Sequence, residues 1–283
     1  MRRIPTAIMM SGTGSNAVKI IEEKSPNLDI RVILTDNPWS NAERIAKENG
    51  LEYELNSIYG LCEVENEPGR LTGEDRKKLL NKDRRKIFDL DTTTILKKYG
   101  IELIAAAGYD WVMSHILPAN YVIVNVHPGD LRVRDAVGKP SYSGLAWIPT
   151  AKAILNGEKY AHTSTHLITP GLDEGPIARV SSPVLINLPE GVTKENILQQ
   201  GITLKDVIRD INYGGGEQFG NSIIYRHSKL VQNKLKERGD WVEFPLTMHL
   251  VAEYIMDDRF NRDFCGNLQL DERPIPHEFL RGY

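Results

Sequence analysis

Residues 4–16 of the chain read IPTAIMMSGTGSN, and this stretch decides the fold. A short apolar run over 4–10 is followed at once by the glycine-rich residues 11–16, after which apolar side chains recur at helical spacing from Ala17 to Ile21. A buried strand, a tight loop and a helix are therefore predicted in that order. Such a unit is typical of a sheet whose parallel strands alternate with helices.

The alternation of strand and helix continues along the chain. Further buried strands are predicted over residues 30–34, 51–55, 103–107, 121–126 and 163–168, and helices over 41–49, 83–99 and within 142–156. Connections between parallel strands are right-handed, so this order predicts a doubly wound α/β sandwich, Rossmann-like, with a mostly parallel sheet.

The pattern changes beyond about residue 183. Helices are predicted over 194–211 and 222–236, whereas the last forty residues show no clear period. We therefore predict a catalytic domain over 1–190 and a C-terminal extension over 191–283. This extension is expected to be helical or irregular, and to pack on the domain or to serve in forming a homodimer.

Composition excludes several classes of protein. Of the 283 residues, 41% are hydrophobic and 26% are charged, which is usual for a folded globular protein and excludes a disordered or fibrous chain. The formal net charge of −3 disfavours nucleic acid as a partner. Cys62 and Cys265 stand far apart, which argues against a disulfide framework or a cysteine-based zinc site. No apolar run is long enough for a signal peptide or a membrane span, so we expect a cytoplasmic protein without a membrane partner.

The glycine-rich loop is the first candidate binding site. Gly12, Gly14 and Ala17, with Asp36 about 20 residues further on, fit the dinucleotide fingerprint of nicotinamide-dependent dehydrogenases. Glycines let the backbone approach any phosphate, however, and N–H groups at a helix start attract it. The hydroxyl and amide side chains of the loop suit a monophosphate, and the alternative is a tight turn without a ligand. The candidate phosphate-binding residues are Gly12, Thr13, Gly14, Ser15 and Asn16.

A second candidate site lies at the end of a predicted strand. Residues 125–128 read NVHP, so Asn125 and His127 share one face of the strand and Pro128 ends its ladder near the carboxyl edge of the sheet. Open parallel sheets bind ligands at that edge. An amide donor beside an imidazole suits a developing oxyanion and proton transfer. The alternative is that both side chains only cap the strand.

A third candidate lies in the loop that follows a later strand, where residues 165–176 read THLITPGLDEGP. Asp173 at the centre of this loop is suited to orienting His127 and to stabilising its cationic form. Two alternatives stay open. Asp173 closes an Asx-turn, or it binds a metal ion together with His162, Ser164 and His166, which share one strand face.

Four motifs thus stand in order between residues 4 and 187. They are SGTGSN at 11–16, AGY at 107–109 before Ser114, NVHP at 125–128 and LDEGP at 172–176. In that order and at compatible spacing they resemble the folate-dependent formyltransferase family, and the first loop is most similar to members that formylate glycinamide ribonucleotide in purine biosynthesis. The resemblance implies a formyltransferase-like α/β fold. It also implies transfer of a formyl group from the co-substrate 10-formyltetrahydrofolate to the amine of that small phosphorylated substrate, without a metal.

The resemblance also implies roles for individual residues. Catalysis falls on Asn125, His127 and Asp173, and phosphate binding on the loop from Gly12 to Asn16. Glu217 is the candidate for a family glutamate that contacts the amine substrate. The folate pocket falls on Arg85, Asp110, Trp111, Val112, Met113, Thr169, Pro170, Gly171 and Leu172.

The chain departs from the family pattern in three places. The family's Glu-His pair near the late helix has no clean match, although Glu217 is a candidate. Gly129-Asp130-Leu131-Arg132 and a longer loop over 133–141 stand where the family has Ser-Leu-Leu-Pro, and Trp111 stands where it has Arg. The identity of the amine is therefore open. The rival functions are a formyltransferase acting on an amino-sugar nucleotide or another amine, a 10-formyltetrahydrofolate hydrolase, a folate-binding relative without activity and, from a different class, the nicotinamide-dependent dehydrogenase.

Overall fold

The computed structural model of the chain describes residues 2–199, 203–213, 218–262 and 268–270. These residues form two compact units. The first holds the chain up to Val126, Thr165–Ala178 and the described residues from Phe244 onward, and the second holds His127–Ser164 and Arg179–Glu243. Both units draw on residues from either side of position 190, and the predicted division there stays a prediction.

Parallel pairing dominates the central sheet. The described strands are β1 (Ile4–Met10), β2 (Leu28–Thr35), β3 (Glu52–Leu55), β4 (Leu103–Ala106), β5 (Val122–His127), β6 (Tyr160–Ala161), β7 (Ser164–Leu167), β8 (Ile177–Val180), β9 (Val184–Leu185), β10 (Phe260–Arg262) and β11 (Leu268–Leu270). Seven of them form one sheet in the order β3-β2-β1-β4-β5-β7-β8, and the four pairs among β1 to β5 are all parallel. The pairs β6-β9 and β10-β11 are antiparallel and stand apart from this sheet. The predicted mostly parallel sheet is confirmed.

Helices flank the central sheet in the first unit and make up much of the second unit. They are α1 (Ser15–Glu22), α2 (Ala42–Glu48), α3 (Ile58–Leu61), α4 (Gly73–Leu79), α5 (Lys82–Lys98), α6 (Ile116–Asn120), α7 (Ile148–Asn156), α8 (Lys194–Gln199), α9 (Leu204–Tyr213), α10 (Ile223–Leu235) and α11 (Trp241–Met256). A 3₁₀ turn at Pro68–Arg70 precedes α4, and a π-helical turn at Lys236–Asp240 joins α10 to α11. Within the described ranges, no helix is both long and apolar enough to cross a membrane.

β1 is buried along its whole length because apolar layers pack on both faces of the sheet. Ile8 and Met10 belong to a cluster that includes Phe244 of α11. Met9 belongs to a second cluster, which includes Phe88 of α5. Alternate residues of the strand thus serve two cores, which confirms the predicted doubly wound α/β sandwich.

The single helix predicted over residues 194–211 is wrong, because α8 and α9 are separate helices. Thr203 caps the second of them. Its hydroxyl donates to Asp206 Oδ2 at 2.5 Å and accepts from the Asp206 N–H at 3.2 Å. Such a cap satisfies a first-turn N–H group and fixes the residue at which the helix begins.

The expectation that the last forty residues lack a regular period is also corrected. Phe244, Met248 and Val251 recur at helical spacing in α11 and are buried in the core of the first unit. Pro245 lies inside this helix. An internal proline removes a backbone hydrogen bond and normally argues against a helix, so it hides the pattern in the sequence.

Candidate active site

The glycine-rich loop has the geometry of a backbone cradle. Gly14 precedes α1 with φ 75°, and a Cβ there would lie 2.4 Å from Ile45 Cδ1 and 2.7 Å from Met10 Cε. Glycine is therefore required at this position by both backbone and packing. A Cβ at Gly12, in contrast, would meet no heavy atom within 4 Å among the described residues. The loop thus leaves open space beside Gly12, at the carboxyl end of β1.

The groups around this loop favour an anion. Its carbonyls are used by the protein, since the Asn41 N–H donates to Gly12 O at 3.1 Å and Asn41 Nδ2 donates to Thr13 O at 3.2 Å. The N–H groups of the first turn of α1, which begins at Ser15, have no acceptor within the helix. Asn16 is buried, and its side-chain Oδ1 has no hydrogen-bond partner in the described part of the chain. Free N–H donors at the start of a helix suit a phosphate group, whereas the Asn16 oxygen is an acceptor and suits a donor group of a ligand.

Asp36 does not have the environment that a dehydrogenase needs. Its carboxylate is fully buried, where Oδ1 accepts from Ser11 Oγ at 2.5 Å and Oδ2 from Trp111 Nε1 at 2.6 Å. Burial raises the pKa of Asp36 to about 6, although these hydrogen bonds oppose the shift. A residue that binds a ribose hydroxyl must present its carboxylate to the ligand, so this geometry disfavours the dehydrogenase alternative.

The residues predicted to line the folate pocket include exposed apolar side chains and a buried guanidinium. Val112 and Leu172 are 63% and 51% exposed. The Arg85 guanidinium is buried and lies 4.7 Å from the centre of the Trp111 ring. Among the described residues, Arg85 Nη1 has no hydrogen-bond partner. Nη2 of the same guanidinium donates to Leu79 O at 3.5 Å, so Nη1 is the nitrogen that a ligand carboxylate could satisfy.

Asn125 and Asp173 converge on one imidazole. Asn125 Nδ2 lies 3.2 Å from His166 Nε2, and Asp173 Oδ1 lies 3.8 Å from the same nitrogen. His166 and Asp173 are buried, with exposed fractions of 2% and 9%. Asp173 also has φ 56°, a left-handed backbone that is rare outside glycine and is found at functional sites more often than elsewhere.

His166 is the residue that sequence reasoning missed, since it was considered only as a metal ligand. Its strand, β7, lies beside β5 in the sheet, and the Ile168 N–H donates to Ile123 O at 2.8 Å. The alternation of side chains along the strand predicts the face on which His166 lies, but it does not predict that β5 is the neighbouring strand. Only the sheet order could have supplied its partner.

His127 stands two residues after Asn125 on β5, as predicted, and is 3% exposed. Its Nε2 lies 2.7 Å from Tyr142 O. A Cβ at Gly129 would lie 2.7 Å from that carbonyl oxygen and 2.9 Å from His127 Nε2. Glycine in place of the family's serine is therefore explained by the close approach of this backbone to His127. That Asp173 orients His127 stays a prediction.

The longer loop over residues 133–141 is an ordered hairpin in the second unit. Arg134 pairs with Pro140, and the Asp135 carboxylate accepts from the N–H groups of Val137 and Lys139. Asp and Asn side chains commonly fix turns in this way. The insertion thus has its own local structure.

Two further expectations concern ligands. Glu217, the candidate contact for the amine substrate, lies outside the described residues. The alternative of a metal site receives no geometric support, because no group of three His, Cys, Asp or Glu side chains in the described part of the chain is arranged to hold a metal ion.

Comparison with known proteins identifies similar chains. Residues 4–201 match the family described as formyl transferase. The chain is 24% identical to the trifunctional purine biosynthetic protein adenosine-3 of Drosophila melanogaster over 192 residues, which are 65% of this chain. It is 28% identical to the phosphoribosylglycinamide formyltransferase of Escherichia coli K12 over 97 residues, 34% of this chain. The matched regions span only 12% and 41% of the length of these two relatives.

Solved structures of phosphoribosylglycinamide formyltransferases share the fold. The one from Anaplasma phagocytophilum has a TM-score of 0.57 at 17% identity, with 97% of both chains covered. The one from Coxiella burnetii has a TM-score of 0.56 at 18% identity, with 97% of this chain and 96% of that chain covered. At such identities the likeness concerns the fold alone.

Proposed function

Because the chain belongs to the formyl transferase family, we propose that it transfers a formyl group from 10-formyltetrahydrofolate to the amine of glycinamide ribonucleotide. The observation that carries this proposal is the convergence of Asn125 and Asp173 on the buried imidazole of His166. Formyl transfer to an amine needs a donor for the oxyanion and an acceptor for the proton that the amine loses. An amide and a carboxylate in one buried cluster are suited to these two tasks.

Asn125 is the proposed oxyanion donor. His166 Nδ1 lies 3.1 Å from Leu167 O, so the hydrogen-bond network assigns the proton to Nδ1 and leaves Nε2 to accept from Asn125 Nδ2. This contact fixes which end of the amide is nitrogen. The second N–H of Asn125 then donates to the formyl oxygen, where negative charge develops as the amine attacks the carbon.

His127 and Asp173 are proposed to handle the protons. His127 Nε2 is held by the Tyr142 carbonyl, which fixes the orientation of its ring. In its cationic form His127 adds a second donor to the oxyanion. The Asp173 carboxylate helps to accept, through water, the proton that the attacking amine loses. The tetrahedral intermediate then collapses, the bond between the formyl carbon and N10 of the folate breaks, and the proton passes to N10 to give tetrahydrofolate.

The two substrates have separate proposed subsites. The apolar surfaces of Val112 and Leu172 suit the aromatic part of a folate, and Arg85 suits a carboxylate of its tail. The loop from Gly12 to Asn16, with its open space and the N–H groups at the start of α1, suits the phosphate of the amine substrate. We also propose a cytoplasmic protein that acts on small molecules and not on nucleic acid, with a homodimer as a further proposal.

A substrate panel tests the proposed function. The purified chain is given 10-formyltetrahydrofolate with glycinamide ribonucleotide, with an amino-sugar nucleotide or with no amine, and release of tetrahydrofolate is followed. We expect release only with glycinamide ribonucleotide. Release without an amine would identify a hydrolase, and release only with the amino-sugar nucleotide would identify the rival transferase. Folate binding without turnover would identify a non-catalytic relative.

A further inference from the structure

Asp36 joins the two proposed subsites through a continuous series of contacts. One carboxylate oxygen accepts from Ser11, the first residue after β1, and the other accepts from Trp111, at 2.5 and 2.6 Å. The Arg85 guanidinium in turn lies 4.7 Å from the centre of the Trp111 ring. The series Ser11–Asp36–Trp111–Arg85 thus runs from the phosphate loop to the folate pocket.

Ser11 is held rigidly at its end of the series. Its N–H donates to Gly108 O at 2.9 Å, and its hydroxyl oxygen accepts from the Asp110 N–H at 3.0 Å while donating to Asp36. Asn37 Nδ2 donates to Ser11 O at 2.7 Å. A displacement of the loop at Ser11 must therefore move the segment from Gly108 to Trp111, or break buried hydrogen bonds.

The strength of these bonds sets the size of the effect. Hydrogen bonds to a charged group contribute about 1.5 to 3 kcal/mol each, and a buried carboxylate that loses a donor also loses its compensation for burial. That range corresponds to roughly 10- to 150-fold in a binding constant, which is the size of measured couplings between two sites.

The surroundings of Asp36 contain further titratable groups. The Asp110 carboxylate adds to the effect of burial in raising the pKa of Asp36. The Tyr59 phenol has its pKa raised to about 12 by burial and by the carboxylates of Asp36 and Asp110, so it is neutral. Burial, together with Asp36, raises the pKa of the Tyr109 hydroxyl as well. The two donors from Ser11 and Trp111 are therefore the groups that compensate the Asp36 charge most directly.

We propose that Asp36 is a positioning residue that couples the occupancy of the Gly12–Asn16 loop by a phosphate group to the position of Trp111 and Arg85. The proposal rests on the proposed function for the identity of the two ligands. Asp36 lies outside the four motifs by which the chain resembles its family, and Trp111 stands where the family pattern has Arg.

The fluorescence of Trp111 tests the link without any turnover. Inorganic phosphate is titrated into the full chain and its binding is measured by calorimetry, while tryptophan emission is recorded. The chain contains four tryptophans, so the Trp111→Phe variant isolates the contribution of Trp111, and Trp39→Phe is the matched control. We expect the emission of the wild type and of Trp39→Phe to change with the same midpoint as calorimetric binding. Trp111→Phe should lose the change.

Two variants break the link at different points. Asp36→Asn keeps the size of the side chain but offers one acceptor oxygen where two donors need one each. Ser11→Ala removes the hydrogen bond from the loop to Asp36. It replaces Asp36→Asn as the test if Asp36→Asn melts at a much lower temperature than the wild type. Each should bind phosphate and show a Trp111 response at least about fivefold smaller. An undiminished response in either folded variant, no response in the wild type, or no phosphate binding would overturn the proposal.

A second measurement separates this inference from the proposed function. The Kd for glycinamide ribonucleotide is measured with and without saturating tetrahydrofolate. We expect the two values to differ by at least about fivefold in the wild type and less than about twofold in Asp36→Asn and Ser11→Ala. Turnover with equal Kd values in the wild type would overturn the link alone. A phosphate response of Trp111 without formyl transfer would overturn the proposed function alone and support the link.

Discussion

At the scale of single residues, Asp36 makes the stability of the protein depend on pH. Its pKa is raised from 3.8 to about 6 in the folded state, so the folded chain binds this proton more tightly than the unfolded chain does. The stabilisation is complete below the unfolded value and is lost as the pH rises through the folded value. At 1.36 kcal/mol per pKa unit, the loss is about 3 kcal/mol.

Asp36→Asn provides the matching measurement, because asparagine does not titrate. The free energy of unfolding of the wild type minus that of the variant should fall by about 2 kcal/mol between pH 4 and pH 7, because the unfolded Asp36 is already partly ionised at pH 4. Denaturant melts of both proteins at the two pH values give this difference, and other titrating groups cancel in it. A difference that stays constant with pH would show that the pKa of Asp36 is not raised.

The proposed catalytic side chains give a second prediction. Asn125→Ala, His127→Ala and Asp173→Asn should each lower kcat by at least ~10²-fold, the usual loss for an oxyanion donor or an acid–base group. His162→Gln is the matched control, since His162 Nδ1 contacts Ser181 O and has no proposed role in transfer. Single-turnover rates and thermal melts of all four variants separate lost chemistry from lost structure. A near-native rate in any of the first three would remove that residue from the mechanism.

At the scale of the elements, the glycine-rich loop gives a third prediction. Gly12→Val should raise the KM for the phosphorylated amine at least tenfold, about the effect of one lost charge-assisted contact, and should leave the KM for folate nearly unchanged. The open space beside Gly12 lets the variant fold and puts the valine where the ligand would lie. Gly14→Val is a poorer test, because its side chain would collide with Ile45 and Met10. Gly12→Ala, with a smaller side chain, should have an intermediate KM.

An equal rise in both KM values in Gly12→Val would show that the loop does not bind the phosphorylated amine specifically. Unchanged KM values would remove it from the binding site altogether. Either result would leave the fold of the loop as described, since Gly12 has no packing role among the described residues.

Elements whose pattern is local were predicted well from the sequence. β1 begins and ends where its apolar run does, at Ile4 and Met10, because glycines follow it immediately. α11 was missed, because Pro245 interrupts a pattern that tertiary burial of Phe244 and Met248 sustains. The division between α8 and α9 was missed because the cap at Thr203 is a side-chain interaction that periodicity does not report.

At the scale of the whole molecule, the sequence predicted the α/β class and the positions of the proposed site residues along the chain. It could not predict the partnership of Asn125 with His166, because these residues meet only through the neighbouring position of β5 and β7 in the sheet. It could not predict either that the chain crosses four times between the two units, since such a division depends on long-range contacts. Local periodicity carries no information on either point.

Formylation of glycinamide ribonucleotide is the most direct test of the account as a whole. The purified full chain is mixed with 10-formyltetrahydrofolate and glycinamide ribonucleotide, and both tetrahydrofolate and the formylated amine are quantified over time. The account predicts that the two products form in equal amounts and that Asn125→Ala lowers both rates by at least ~10²-fold. Tetrahydrofolate formed without formylated amine, or no product from either substrate, would contradict it.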